Sequence, residues 1–88
     1  MKRFEEAVLE VLRSLRSGEV VTYGEVAEQA GFPGAARAVG NLLNRTDEDV
    51  PWWRVVGAGG RLRSPSPARQ AELLAAEGVL VRDGRVVG

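Results

Sequence analysis

The sequence predicts a mainly α-helical fold: a single winged helix-turn-helix-like domain with a few short strands, spanning residues 1–88. Three observations carry that expectation. Apolar residues recur at helical spacing in three successive stretches before residue 45. The second and third stretches flank a glycine- and proline-containing turn, the pattern of a helix-turn-helix. Near the end, Asp83-Gly84 stands between two valine-rich runs, a strong signal for a two-residue hairpin. A chain of 88 residues is long enough for one compact core and too short for two.

In chain order, Phe4, Ala7, Val8, Val11, Leu12 and Leu15 fall at steps of three and four, one stripe of an amphipathic helix, with Gly18 placed to end it. Val20-Val21 reads as a short extended link. Thr22 followed by Glu25 has the spacing of a capping box, so a second helix starts near Tyr23, with Tyr23, Val26, Ala27 and Ala30 inward and Gly31 stopping it. Phe32-Pro33-Gly34 turns the chain. A third helix is expected from about Ala35 to Asn44, with Ala36, Val39, Gly40 and Leu43 as its apolar stripe. Its opposite stripe, Gly34, Arg37, Ala38, Asn41 and Arg45, alternates small residues with long hydrogen-bond donors and holds no acid. Small residues let a helix backbone approach a nucleic-acid groove closely, and arginine and asparagine then reach phosphates or base edges. A plain helical hairpin with a small-residue packing face has the same pattern.

After the acidic loop Thr46-Asp47-Glu48-Asp49, the stretch Val50 to Val56 is apolar and aromatic, and Gly57-Ala58-Gly59-Gly60 turns the chain. Two adjacent tryptophans, Trp52 and Trp53, cannot both enter one core from an extended segment, so one of them faces a cavity or solvent. Ser66 is placed to cap, and Pro67 to open, a last helix with Gln70, Leu73, Leu74 and Glu77 on one face and Gly78 at its end.

Composition narrows the chemistry. There is no cysteine and no histidine, which removes disulfides, thiolate metal sites, a cysteine nucleophile and the commonest general base. Carboxylate pairs, serine–lysine arrangements or no chemistry remain. The apolar runs are far short of a membrane span, and Met1-Lys2-Arg3-Phe4-Glu5-Glu6 has no apolar signal core, so a cytoplasmic protein with no membrane partner is expected. Twelve basic residues balance twelve acidic ones, an argument against a nucleic-acid binder. The distribution is less even: six arginines (37, 45, 54, 61, 63 and 69) face three clustered acids in the middle of the chain, so one basic face remains available.

Four segments, taken in order, resemble a known family. Gly18-Glu19-Val20-Val21-Thr22-Tyr23-Gly24-Glu25-Val26-Ala27, Ala35-Ala36-Arg37-Ala38-Val39-Gly40, Pro51-Trp52-Trp53-Arg54-Val55-Val56 and Leu73-Leu74-Ala75-Ala76-Glu77-Gly78 are similar to the G-x-V-x-T-Y-G-x-[IV]-A, A-A-R-A-V-G, P-C-H-R-V-V and L-L-x-x-E-G motifs of the O6-alkylguanine-DNA alkyltransferase DNA-binding domain. The resemblance puts Trp52 where that family has its alkyl-accepting cysteine and Trp53 where it has the activating histidine. An indole is no nucleophile near neutral pH, and tryptophan at the acceptor position marks the alkyltransferase-like subfamily. The resemblance implies a chain that recognises O6-alkylguanine in duplex DNA without chemistry, without cofactor or metal and as a monomer, and that flags the lesion for nucleotide-excision-repair proteins. The family's variable N-terminal domain is not matched, as a sensor would allow.

Residue by residue, the resemblance implies a lesion pocket of Tyr23, Trp52, Trp53, Arg54, Ser64 and Ser66, with Arg54 as a brace for the pocket loop. It implies a DNA-binding surface of Thr22, Tyr23, Ala35, Arg37, Ala38, Asn41 and Arg45. Arg37 matches the arginine that fills the stack after a base is flipped, and the third helix would lie in the minor groove. Asn41 and Asn44 both compete for the family's asparagine, and Arg61, Arg63 and Arg69 remain candidates for holding DNA or alkyl adducts. Glu77 matches the relay carboxylate, here with no histidine to orient and therefore a structural acid. Two other classes stay open: a helix-turn-helix regulator of undamaged DNA, and an enzyme, either a residual alkyltransferase or a hydrolase using Glu77.

Overall fold

In a computed structural model that describes residues 3–87, helix α1 (Phe4–Ser14) buries Ala7, Val8, Leu9 and Leu12. Met1 and Lys2 at the charged start, and Gly88, lie outside the described residues. Glu5 and Glu6 complement the positive end of the α1 dipole. The helix stops earlier than the Gly18 signal suggests. Leu15 is already extended, at φ −70° and ψ 135°, and its side chain enters the core at 6% exposure. Burying Leu15 from an extended backbone ends the helix before the glycine is reached.

Strand β1 (Val21–Thr22) runs directly into α2 (Tyr23–Gln29). Thr22 closes the expected capping box: its Oγ1 accepts from the Glu25 amide at 3.0 Å, and Glu25 Oε1 accepts from the Thr22 amide at 2.9 Å. At the other end, the amides of Gly31 and Phe32 donate to Glu28 and Ala27 carbonyls at 3.0 and 2.9 Å, the paired bonds of a Schellman motif. Phe32 then meets Phe4 edge to face, with centroids 5.1 Å apart, and so ties the turn to the start of α1.

Helix α3 (Ala36–Arg45) packs on α2. Its buried residues are Val39 and Leu42, a correction to the expected stripe of Ala36, Val39, Gly40 and Leu43. Leu42 faces the core, while Leu43 is half-buried at its edge. Gly40 faces the Tyr23 ring, which a Cβ there would meet at 3.8 Å. Leu42 joins the core cluster with Val39, and Gly40 is packed beside Tyr23.

The tryptophan segment is not extended. Trp52–Arg54 form one 3-10 turn, entered through an inverse γ-turn at Pro51 (φ −76°, ψ 67°; Trp52 amide to Val50 carbonyl, 2.7 Å). Strand β2 (Val55–Val56) follows and pairs in parallel with β1, Val21 opposite Val55 and Thr22 opposite Val56. Helix α4 (Pro67–Ala76) has Pro67 in its first turn as expected, but the Ser66 side chain makes no cap bond. Gly78 and Val79 close α4 with a second Schellman pair onto Ala75 and Leu74. Strands β3 (Val81–Arg82) and β4 (Arg85–Val86) form the Asp83-Gly84 hairpin, with both turn residues at positive φ (54° and 72°), as a type I′ turn requires.

One apolar cluster joins α1, α2, α3 and the β1–β2 pair: Val8, Leu12, Val26, Ala27, Val39, Leu42 and Val55 are fully buried. Gln70 of α4 is also fully buried, its amide donating to the Trp53 and Val55 carbonyls at 3.1 and 2.9 Å. Through it α4 holds the tryptophan turn against β2. No helix among the described residues is long and apolar enough to cross a membrane.

Candidate nucleic-acid interface

Two concave surfaces meet at Tyr23. The first is a pocket of about 250 Å³ lined by Tyr23, Leu43, Asn44, Thr46, Trp52, Ser64, Pro65 and Ser66. The second is a broader groove of about 690 Å³ along the outer side of α3, lined by Thr22, Tyr23, Gly24, Ala36, Arg37, Gly40, Asn41, Asn44, Gly57, Ala58 and Arg63. Tyr23 and Asn44 belong to both, so the groove opens beside the pocket. Burial raises the Tyr23 hydroxyl above its ordinary pKa, with Arg63 pulling the other way. Near neutral pH the phenol therefore keeps its proton and can donate a hydrogen bond.

Of the residues expected in the pocket, Tyr23, Trp52, Ser64 and Ser66 line it. Trp53 and Arg54 do not: they face Glu77. The Trp53 indole N–H donates to Glu77 Oε2 at 2.9 Å, and Arg54 Nε donates to both carboxylate oxygens at 3.0 and 3.1 Å. Arg54 Nη2 lies 2.6 Å from Oε2, while Nη1 reaches the Leu15 carbonyl at 2.8 Å and the Gly18 amide donates to Oε1 at 2.9 Å. The Arg54 guanidinium also sits 5.2 Å from the Trp53 ring centroid. Arg54, foremost, with Gly18 and Trp53, holds the Glu77 carboxyl at about 2, well below its ordinary range, despite the opposing effect of burial. Glu77 in turn raises the Arg54 pKa. This is a clasp that fixes the tryptophan turn to α4 and to the chain leaving α1. Arg54 is a brace, and Glu77 a saturated acid with no lone pair aimed at the pocket.

On the groove side, Thr22, Tyr23, Arg37 and Asn41 line one surface. Ala38 is exposed on α3, and Ala35 is half-buried against the core at the helix start. Arg45 does not line the groove; its guanidinium lies 3.8 Å from Glu5 of α1. Arg63 is a groove residue, and its side chain covers Gly57 so closely that a Cβ there would stand 2.7 Å from Arg63 Cδ. Arg69 pairs with Glu72 in the next turn of α4, at 3.5 Å. Leu43, Asn44, Thr46 and Pro65 also line the pocket; of these, the sequence singles out Asn44 only as a candidate for the family's asparagine. They reach the pocket from the end of α3 and the loop before α4, brought together by long-range packing.

A helix-turn-helix whose outer helix floors a groove, beside a pocket walled by an aromatic residue, is an architecture suited to DNA binding. The model of the 6-O-methylguanine DNA methyltransferase DNA-binding domain matches residues 3–79, and the chain belongs to that family. The DNA base-flipping protein of Escherichia coli K12 is 44% identical over 82 residues, 89% of this chain and 64% of that protein. The chain thus spans a little under two thirds of that relative's length. The methylated-DNA–protein-cysteine methyltransferase of Mycobacterium leprae is 49% identical over 61 residues, 67% of this chain and 37% of that enzyme. Among solved structures, S. pombe Atl1 in complex with damaged DNA containing O6-carboxymethylguanine superposes with a TM-score of 0.82 at 32% identity, over 93% of this chain and 83% of Atl1.

Proposed function

We propose that this protein binds O6-alkylguanine in duplex DNA by flipping the damaged base, and that it does not transfer the alkyl group. The observation that carries the reading is Trp52: it lines a small pocket opening beside the α3 groove, at the position matching the family's acceptor, in a chain with no cysteine. The duplex lies with its minor groove on α3, where Ala36, Gly40 and exposed Ala38 allow close approach. Arg37 occupies the gap in the stack, at a flipping cost of a few kcal/mol that is least for a damaged base. The base passes Tyr23 into the pocket and lies against the Trp52 indole, with Ser64, Ser66, Asn44 and Thr46 supplying polar contacts. A pocket of about 250 Å³ suits a guest smaller than the drug-sized ligands of typical 300–1,000 Å³ pockets. The E. coli base-flipping relative and the Atl1 complex with damaged DNA support this reading.

Binding without repair leaves the lesion in place, so a protective role requires other proteins to remove it. We place these among the nucleotide-excision-repair proteins, recruited to the distorted duplex. The test pairs a binding curve on an O6-methylguanine duplex and its unmodified twin with mass spectrometry of the protein afterwards. Tighter binding to the modified duplex and an unmodified chain are expected; a methyl-sized mass gain would restore an alkyltransferase. Equal affinity for both duplexes would leave a helix-turn-helix regulator.

A further inference from the structure

Outside the lining of the pocket and the groove, the register of the hairpin puts three arginines side by side. Arg82 and Arg85 are directly opposed across β3 and β4, and Arg85 is bridged on its other edge to Arg61. Directly opposed residues share one face of a sheet, so Arg61 (at an isolated bridge beside β4), Arg85 and Arg82 form a row with Arg85 in the middle. All three are exposed, and they line one shallow cleft of about 390 Å³ with Asp83 and Val87. None is ion-paired with another described residue. Like charges directly opposed on a hairpin are destabilising, and this row stacks two such pairs in a chain whose net charge is zero. Such an arrangement is stable against an anion that satisfies several guanidinium forks at once.

The row is joined to the groove. Arg61 belongs to the same short loop as Gly57, Ala58 and Arg63, which line the α3 groove. The loop closes on itself through the Gly57 amide and Arg61 carbonyl at 2.7 Å, and it reaches the hairpin through the Leu62 amide, which donates to the Gly84 carbonyl at 2.9 Å. Gly60, at φ +85°, approaches β4 so closely that a Cβ would stand 2.9 Å from the Val86 carbonyl oxygen. We propose that Arg61, Arg82 and Arg85 form a second phosphate-binding surface, a wing on which the backbone of the same duplex rests beyond the α3 groove. The proposal rests on the reading that the chain binds duplex DNA. An acidic protein could also face three arginines; the shared loop with the groove favours the duplex.

Removing the row tests it. The triple variant Arg61→Gln, Arg82→Gln, Arg85→Gln should keep its thermal midpoint or gain in it, since the opposed charges are gone. Its plot of log affinity against log salt should be shallower than the parent's by roughly 2.7, three phosphates at about 0.9 each. The weakening should be the same on the O6-methylguanine duplex and its unmodified twin, so the ratio between them stays constant. Asp83→Asn, a side chain that tolerates the same left-handed backbone, removes the one acid at the cleft and should tighten binding to both duplexes. An unchanged salt slope in the triple variant overturns the proposal and leaves the row to a partner other than DNA. A loss confined to the damaged duplex also overturns it, by placing the arginines at the lesion. A parent protein that binds both duplexes equally refutes the damage reading instead, while the slope still decides the wing.

Discussion

Trp52 and Trp53 are neighbours in one 3-10 turn, with rings 6.1 Å apart and nearly perpendicular, yet they belong to opposite kinds of surface. Trp52 lines an open pocket with hydroxyl and amide groups around it. Trp53 donates to a carboxylate whose side chain is only 12% exposed and which also receives Arg54 and the Gly18 amide. One side of the turn is left open to a guest, and the other is closed on itself. The difference teaches how one short turn can serve a cavity on one side and the frame of the fold on the other. Trp52 is a wall of the pocket, while Trp53 is part of the frame that holds that wall in place.

The largest way to break that division is through the clasp. Glu77→Gln leaves the Arg54 guanidinium, 13% exposed, without its counter-charge, and should cost about 3 kcal/mol of stability in chemical denaturation. The same ion pair gives a pH signature. Folding lowers the Glu77 pKa from 4.5 to about 2, so its contribution is complete above the unfolded value and is lost as pH falls from about 4.5 toward 2. Acid denaturation of Glu77→Gln should lack that component, and identical acid profiles for both proteins would show that the clasp contributes nothing to stability.

Trp52→Ala attacks the other side. Stability should change little beside the clasp variant, while affinity for an O6-alkylguanine duplex drops by roughly ten- to a hundredfold, the 1–3 kcal/mol of one aromatic stacking face. Affinity for the unmodified duplex should stay the same, and fluorescence anisotropy on the two duplexes measures both. An equal loss on both would make Trp52 part of the frame as well.

Arg37→Ala should cost about tenfold on the damaged duplex, and less on the unmodified one, with the fold intact because Arg37 is exposed opposite Val39 and Leu42. Equal losses would reduce Arg37 to a phosphate contact. The smallest effect is expected from Ser66→Ala. Removing a working helix cap costs about 1 kcal/mol, but the Ser66 side chain caps nothing and only lines the pocket. Its thermal midpoint should therefore stay within the scatter of surface substitutions, roughly 0.5 kcal/mol, and a larger drop would assign Ser66 to the frame.

Local sequence determined the elements whose causes are local. The Thr22–Glu25 capping box, the Gly31 and Gly78 helix ends and the Asp83-Gly84 turn are set by bonds spanning a few residues, and each occurs where the spacing puts it. The ordered motifs, in a chain with no cysteine or histidine, identified the family, because residue identity alone fixes which chemistry is possible. Tertiary structure decided the rest. That α3 buries Leu42 and leaves Leu43 at the core edge depends on how α3 packs on α2 and the rest of the core. That Arg54 spans Glu77 and Leu15, and that β1 pairs with β2, depends on contacts between residues 23 to 39 positions apart in one case and 34 in the other. The row of Arg61, Arg85 and Arg82 exists only through strand register. Periodicity specifies that a helix has an inside, but which neighbours fill that inside, and which charges they bring together, is settled only when distant segments compete for the same space.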